Sequence, residues 1–99
     1  MVQRQATKKV LGGKLVRVKI TIEDTKDTIE SIKIHGDFFL YPEDSINILE
    51  EALIGIDKDI SLSTLQQKIS DILNGQKAHF IGLESTDLAS LIIEALQST

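Results

Sequence analysis

The sequence predicts an α+β fold, a three-stranded antiparallel meander covered on one face by about three C-terminal helices. Three observations carry that prediction. Residues 14–23 alternate strictly, with Val16, Val18, Ile20 and Ile22 on one side and Arg17, Lys19 and Thr21 on the other. Period-2 alternation rich in β-branched side chains is the pattern of a half-buried strand. The second half of the chain changes period, with apolar residues recurring at helical spacing in three separate stripes. Between the halves lies a corner, IKIHGDFFLYPEDSINILEEALIG (32–55), that begins as a strand and ends as a helix. A sheet with one apolar face needs a cover, and helices that follow it in the chain supply one.

Taken in order, 7–23 reads as a hairpin. Lys9, Val10 and Leu11 lead into Gly12-Gly13, and glycine reaches the positive φ of a tight turn without a Cβ clash. Residues 1–6 are expected to be flexible. The polar run EDTKDT (23–28) reverses the chain, and a third strand is expected over 29–39. Pro42 suits a helix start, with Asp44 or Ser45 as cap, and Gly55 closes that helix, with Ile56 packing back in a Schellman-type arrangement. Leu62, Leu65, Ile69, Ile72 and Leu73 form the second stripe, capped by Ser61 or by Ser63 with Gln66, and ended by Asn74-Gly75. Leu88, Leu91, Ile92, Ala95 and Leu96 form the third, after Ser85 or Thr86 as cap and Asp87 in the first turn. The apolar connector 78–83 is expected to pack rather than hang free.

The bulk properties narrow the class. Ninety-nine residues with 41% hydrophobic content make one domain, 1–99, with one modest core. No apolar run is long enough for a membrane span, and the N-terminal stretch MVQRQATKKV lacks the apolar centre of a secretory signal. A cytoplasmic protein is expected, with no membrane partner. The absence of cysteine removes disulfides, thiol catalysis and thiolate metal sites together.

The net charge of −4 hides an asymmetry. Arg4, Lys8, Lys9, Lys14, Arg17 and Lys19 precede every acid, whereas residues 21–99 hold all fifteen acids against five bases. A basic edge on an acidic body has two readings: the solvated face of edge strands, or a surface for phosphate, nucleic acid or an acidic partner.

No nucleophilic or metal constellation is visible. His35 and His79 are far apart and stand in no ligand spacing. Glu43, Asp44, Glu50 and Glu51 are spaced for the cap and solvated face of a helix. Gly12-Gly13-Lys14 lacks the rest of a Walker loop and is followed by no helix. Asp37 is placed to cap a turn by accepting backbone N–H bonds. Phe38 and Phe39 are adjacent in extended chain and must point to opposite sides. One enters the core; the other, beside Tyr41, is left as an anchor for a partner. The residues alone describe a domain that binds rather than reacts.

One resemblance extends this reading. Gly13-Lys14-Leu15-Val16-Arg17-Val18, then Ile34-His35-Gly36-Asp37-Phe38-Phe39, then Leu49-Glu50-Glu51-Ala52-Leu53-Ile54-Gly55 follow one another as in the C-terminal accessory domain of lipoate–protein ligases. Phe80-Ile81-Gly82-Leu83 before the third helix adds to the likeness, which covers about residues 10–97. The Arg-Arg and Gly-rich adenylate motif and the catalytic lysine of the family's larger domain are absent here. The resemblance therefore implies the small accessory subunit of a two-chain ligase, inactive alone. It implies a heterodimer with a large catalytic subunit that binds ATP, Mg and lipoate, and a role in activating lipoate to lipoyl-AMP. It further implies, indirectly, lipoyl-domain acceptors such as 2-oxoacid dehydrogenase E2 and the glycine cleavage H protein. On that footing Gly36, Asp37, Phe38, Phe39 and Tyr41 are expected at the partner interface, and Lys14 and Arg17 near the adenylate phosphate.

Two other readings stand beside it. A non-catalytic module could use the basic hairpin on nucleic acid or on an acidic partner, but the body is acidic and no aromatics interleave the basic residues. An iron–sulfur assembly protein conflicts with the lack of cysteine.

Overall fold

A computed structural model describes residues 2–9 and 15–97 of the chain. Strands β1 (Val2–Lys9), β2 (Leu15–Glu23) and β3 (Thr28–Gly36) form an antiparallel sheet in the order β1-β2-β3. The α+β class and the meander are those expected from the alternation. The first strand is longer than expected. Residues 2–6, expected to be flexible, pair with β2 as far as Val2 opposite Ile22. The Gly12-Gly13 turn lies outside the described residues.

The buried face of the sheet carries Val16, Val18, Ile20 and Ile22 from β2 and Ile29, Ile32 and Ile34 from β3. Ile29 and Ile32 are three residues apart and cannot share a face in a regular strand. A register shift at Thr21/Ile22 resolves this: Thr21 pairs with Ser31 and Ile22 with Ile29, leaving Glu30 as the extra residue of a bulge.

The helices α1 (Ser45–Ala52), α2 (Leu62–Gly75) and α3 (Ser85–Gln97) cover that face. Helix α3 buries Leu88, Ala89, Leu91, Ile92, Ala95 and Leu96 and packs on β1, β2 and α2. Ser61, not Ser63, caps α2, its Oγ accepting from the Thr64 N–H at 3.3 Å. Pro42 precedes α1 in a turn whose carbonyl accepts from the Ser45 N–H at 3.0 Å, and Asp44 occupies the cap position without a side-chain bond.

The end of α1 differs from the expected Schellman arrangement. Gly55 has the positive φ of 90°, but its N–H donates to the Ile29 carbonyl of β3 at 2.8 Å, and the Ile29 N–H returns to the Ile56 carbonyl at 2.9 Å. Further along, the Ile34 N–H donates to the Glu50 carboxylate at 2.8 Å. Glu50 is buried, not solvated as the helical pattern suggested. The reason is tertiary. The outer side of β3 would otherwise be an open sheet edge, and α1 with its following loop satisfies that edge group by group.

The third strand stops at Gly36, earlier than expected. Gly36 has φ 156°, and a Cβ there would lie 2.5 Å from the Leu15 carbonyl oxygen. Asp37 completes the clasp: its N–H donates to the Leu15 carbonyl at 2.9 Å, and its carboxylate accepts from the Leu15 N–H at 3.4 Å. The bond thus reaches across to β2 rather than capping a local turn. Beyond the clasp the chain leaves the sheet and forms β4 (Phe39–Tyr41). This strand pairs antiparallel with β5 (His79–Ile81) from the 78–83 connector, in a separate two-stranded ribbon. Among the described residues no helix is long and apolar enough to cross a membrane.

Candidate docking site

The ribbon gathers all four aromatic residues of the chain. Its register sets Phe39 opposite Ile81, Leu40 opposite Phe80 and Tyr41 opposite His79. Because side chains alternate along a strand, the middle pair faces one way and the outer two pairs the other. Leu40 is buried and Phe80 half-buried against the core. Phe38, just before the strand, also turns inward and meets Phe80 edge to face, with ring centroids 5.5 Å apart and planes at 76°. Edge-to-face pairing is the geometry that the ring quadrupoles favour, and it fixes the ribbon to the domain.

The outward face is also apolar. Phe39 is 61% exposed, Tyr41 44% and Ile81 48%, with His79 exposed beside them. Phe39 stacks on Tyr41 with centroids 6.4 Å apart, and Tyr41 lies 6.1 Å from the His79 ring. A two-stranded ribbon of three-residue strands is marginal by itself, so such a face needs the anchoring beneath it. A large exposed side chain standing alone is ordinary; four in one register are a surface of the kind that partners cover.

The expected site residues fall in three places. Phe39 and Tyr41 are on the outer face. Phe38 is packed inward and Gly36 is pressed against β2, so these two shape the corner rather than present a surface. Asp37 is exposed, at the clasp. Arg17 is exposed on the open face of the sheet, in a depression of about 470 Å³ with Thr7, Leu15, Lys19, His35 and Asp37. Lys14 lies outside the described residues. His35 and Gly36 also line a second depression of about 330 Å³, floored by Ile34, Phe38, Leu40 and Ile46 and rimmed by Phe39 and Glu43. The corner therefore sits between the cationic sheet face and the aromatic ribbon. Among the described residues no three His, Asp or Glu side chains converge to hold a metal ion.

The sequence reading missed His79 and Ile81. A signal was present: HFI alternates, lies in an apolar stretch too short for a helix, and is bounded by Lys77 and Gly82. What it lacked was any local indication of a strand partner, because β4 and β5 are separated by two helices.

Comparison with known proteins adds three findings. Residues 2–92 match the family model described as bacterial lipoate protein ligase C-terminus. Over 56 residues the chain is 41% identical to lipoate-protein ligase A subunit 2 of Thermoplasma acidophilum, a match covering 57% of this chain and about half, 51%, of that protein. It is also similar to a chain in a solved structure of an archaeal lipoylation system, described as a bi-partite lipoate protein ligase and its E2 lipoyl domain from Thermoplasma acidophilum. That likeness has a TM-score of 0.64 at 33% identity, covering 100% of this chain and 97% of that one.

Proposed function

The chain belongs to the lipoate–protein ligase C-terminal family, and from that premise we propose that it is the small subunit of a two-part lipoate–protein ligase. In this reading it docks on a larger catalytic chain and supports the ATP-dependent activation of lipoate to lipoyl-AMP. A lysine of a lipoyl-domain protein then accepts the lipoyl group. The observation that carries the proposal is the outer face of the ribbon, where Phe39, Tyr41 and Ile81 stand exposed over a well-packed base. A lasting subunit contact draws on a rigid aromatic surface of this kind. The resemblance of the chain to a subunit of a bi-partite enzyme supports the same partner.

The chemistry divides between the chains. The catalytic chain holds ATP, magnesium and lipoate. Attack of the lipoate carboxylate on the α-phosphorus forms the mixed anhydride and breaks the bond to pyrophosphate, building negative charge on the phosphoryl oxygens. A fixed cation and the exclusion of water both lower that barrier. Arg17, toward the hairpin end of the sheet, supplies one such cation, Lys14 three residues before it in the sequence supplies another, and closure of this domain over the catalytic chain excludes water.

The test mixes the two chains and measures ATP- and lipoate-dependent pyrophosphate release. A rate well above that of the catalytic chain alone is expected. No stimulation by the small chain at saturating concentration overturns the proposal.

A further inference from the structure

The three-stranded sheet has a second face, of which the reading above uses only Arg17, at the hairpin end. All three helices lie on the other side, so the residues alternating with the core stand open: Leu15, Arg17 and Lys19 on β2, and Ser31, Lys33 and His35 on β3. The register puts Lys19 directly opposite Lys33, and Arg17 directly opposite His35. Directly opposed residues are about 5 Å apart at Cβ and next-but-one residues on a strand about 7 Å apart. Arg17, Lys19 and Lys33 therefore fall within about one Debye length at physiological salt and act together.

This arrangement carries an internal cost, since like charges facing each other across a ladder repel. Little on the chain relieves it. Arg17 and Lys19 make no ion pair with a described residue. Lys33 reaches the Glu50 carboxylate at 3.7 Å, but Glu50 is tucked beneath the edge and Lys33 remains 66% exposed. Asp37 ends the face on one side, engaged with the Leu15 N–H, and Glu23 at the far end of β2 accepts from the Lys26 N–H. The patch stands on a chain of net charge −4, so its attraction is local rather than a field of the whole molecule.

The shape of the patch selects its ligand. β2 is the central strand, and its backbone N–H groups are committed to β1 and β3. The face offers no converging N–H nest such as phosphate groups use. It offers a row of side-chain cations along an open depression, which suits carboxylates projecting from a folded surface. The three cations described on β2 and β3 are too few for tight binding along a nucleic-acid backbone at physiological salt. The catalytic chain is better served by the apolar ribbon, because a lasting contact needs a desolvated centre. A protein substrate that must arrive and leave each cycle is better served by exposed charge, which raises the association rate without slowing release.

We infer that the open sheet face, through Lys19 and Lys33 with Arg17 beside them, recognises an acidic surface on the protein that carries the acceptor lysine. This rests on the small-subunit reading and deepens it, adding selection of the acceptor protein to support of the activation step.

The test uses the two-chain complex and varies the concentration of a lipoyl-domain acceptor protein. Lys19→Glu with Lys33→Glu raises the KM for the acceptor at least tenfold. The same variant leaves kcat, and pyrophosphate release without acceptor, unchanged. Added salt raises the wild-type KM and moves that of the variant far less. Lys68→Glu, the same substitution at an exposed position of α2, has no effect on any of these. The milder Lys19→Gln gives a smaller KM shift in the same direction if the double variant folds poorly. An unchanged acceptor KM overturns the inference, and so does an equal loss of acceptor-free pyrophosphate release, which assigns the face to activation. Retardation of duplex DNA that these variants abolish, at unchanged acceptor KM, assigns it to nucleic acid and also overturns it. Failure of the small-subunit reading shows separately, as a wild-type chain that does not stimulate pyrophosphate release.

Discussion

The three-stranded sheet and the two-stranded ribbon are both antiparallel and both rest one face on the same core, yet they treat their other face oppositely. The sheet presents Arg17, Lys19, Lys33 and His35 to solvent; the ribbon presents Phe39, Tyr41 and Ile81. Charge on an open sheet face leaves a soluble, monomer-compatible surface. Exposed aromatics on a ribbon give up burial that the isolated chain could have gained. The two faces therefore suit different contacts: one is stable in water and attracts at a distance, whereas the other is completed only when covered.

The largest expected effect separates the inside of the ribbon from its outside. Phe38 and Phe39 are adjacent and chemically identical, but Phe38 packs edge to face on Phe80 and Phe39 stands outside. Phe38→Ala is expected to lower folding stability by about 2–3 kcal/mol, toward the low end for a core aromatic because its site is only partly buried. Phe39→Ala is expected to change folding by less than about 0.5 kcal/mol, as exposed positions do. It should weaken binding to the catalytic chain by about 2 kcal/mol, roughly thirtyfold. Denaturant melts of the single chain and calorimetric titration of the complex give both numbers. Equal effects of the two variants on folding would erase the distinction between the faces.

The next effect tests how the covered edge of the sheet is held. Glu50→Ala removes the acceptor of the Ile34 N–H in a buried setting, with an expected loss of about 1–3 kcal/mol. Amide exchange at Ile34 should quicken in that variant while exchange on central strand β2 changes less. A variant with unaltered stability would mean that water replaces the carboxylate, and that α1 covers the edge by packing alone.

The smallest effect lies in the turn between β2 and β3. The Lys26 backbone N–H donates to the Glu23 carboxylate at 2.7 Å, and this bond holds the Glu23 pKa below the ordinary glutamate value. The folded value is the depressed one. The stabilisation is therefore fully present above the unfolded pKa and is lost as pH falls through the folded one. Comparing Tm against pH for the wild type and Glu23→Gln should show a small gap near neutrality that closes in acid. A gap that widens in acid would reverse the assigned direction.

Much of this was legible in the residue order. The alternation of Val16 to Ile22 already contained the sheet, and the three apolar stripes contained the helices, because each pattern repeats within the reach of a single element. The adjacency of Phe38 and Phe39 already required one of them to face outward. What escaped the sequence depended on residues far apart in the chain. Ile29 and Ile32 share a face only because of a bulge against β2. Glu50 looks like a solvated helix residue until the edge of β3 is placed beside it. His79 and Ile81 join Phe39 and Tyr41 only through a pairing that spans two helices.

The α+β class, the order of the main elements, the asymmetry of charge and the presence of an unburied aromatic at the Gly36–Phe39 corner are written in the residue order. These follow from periodicity and composition, which need no partner to be read. That the corner leaves the sheet and builds a second one, and that Lys19 falls directly opposite Lys33, belongs to the tertiary structure alone. Register and strand pairing are set by which distant groups can satisfy each other's hydrogen bonds and share one core, and no local pattern encodes that choice.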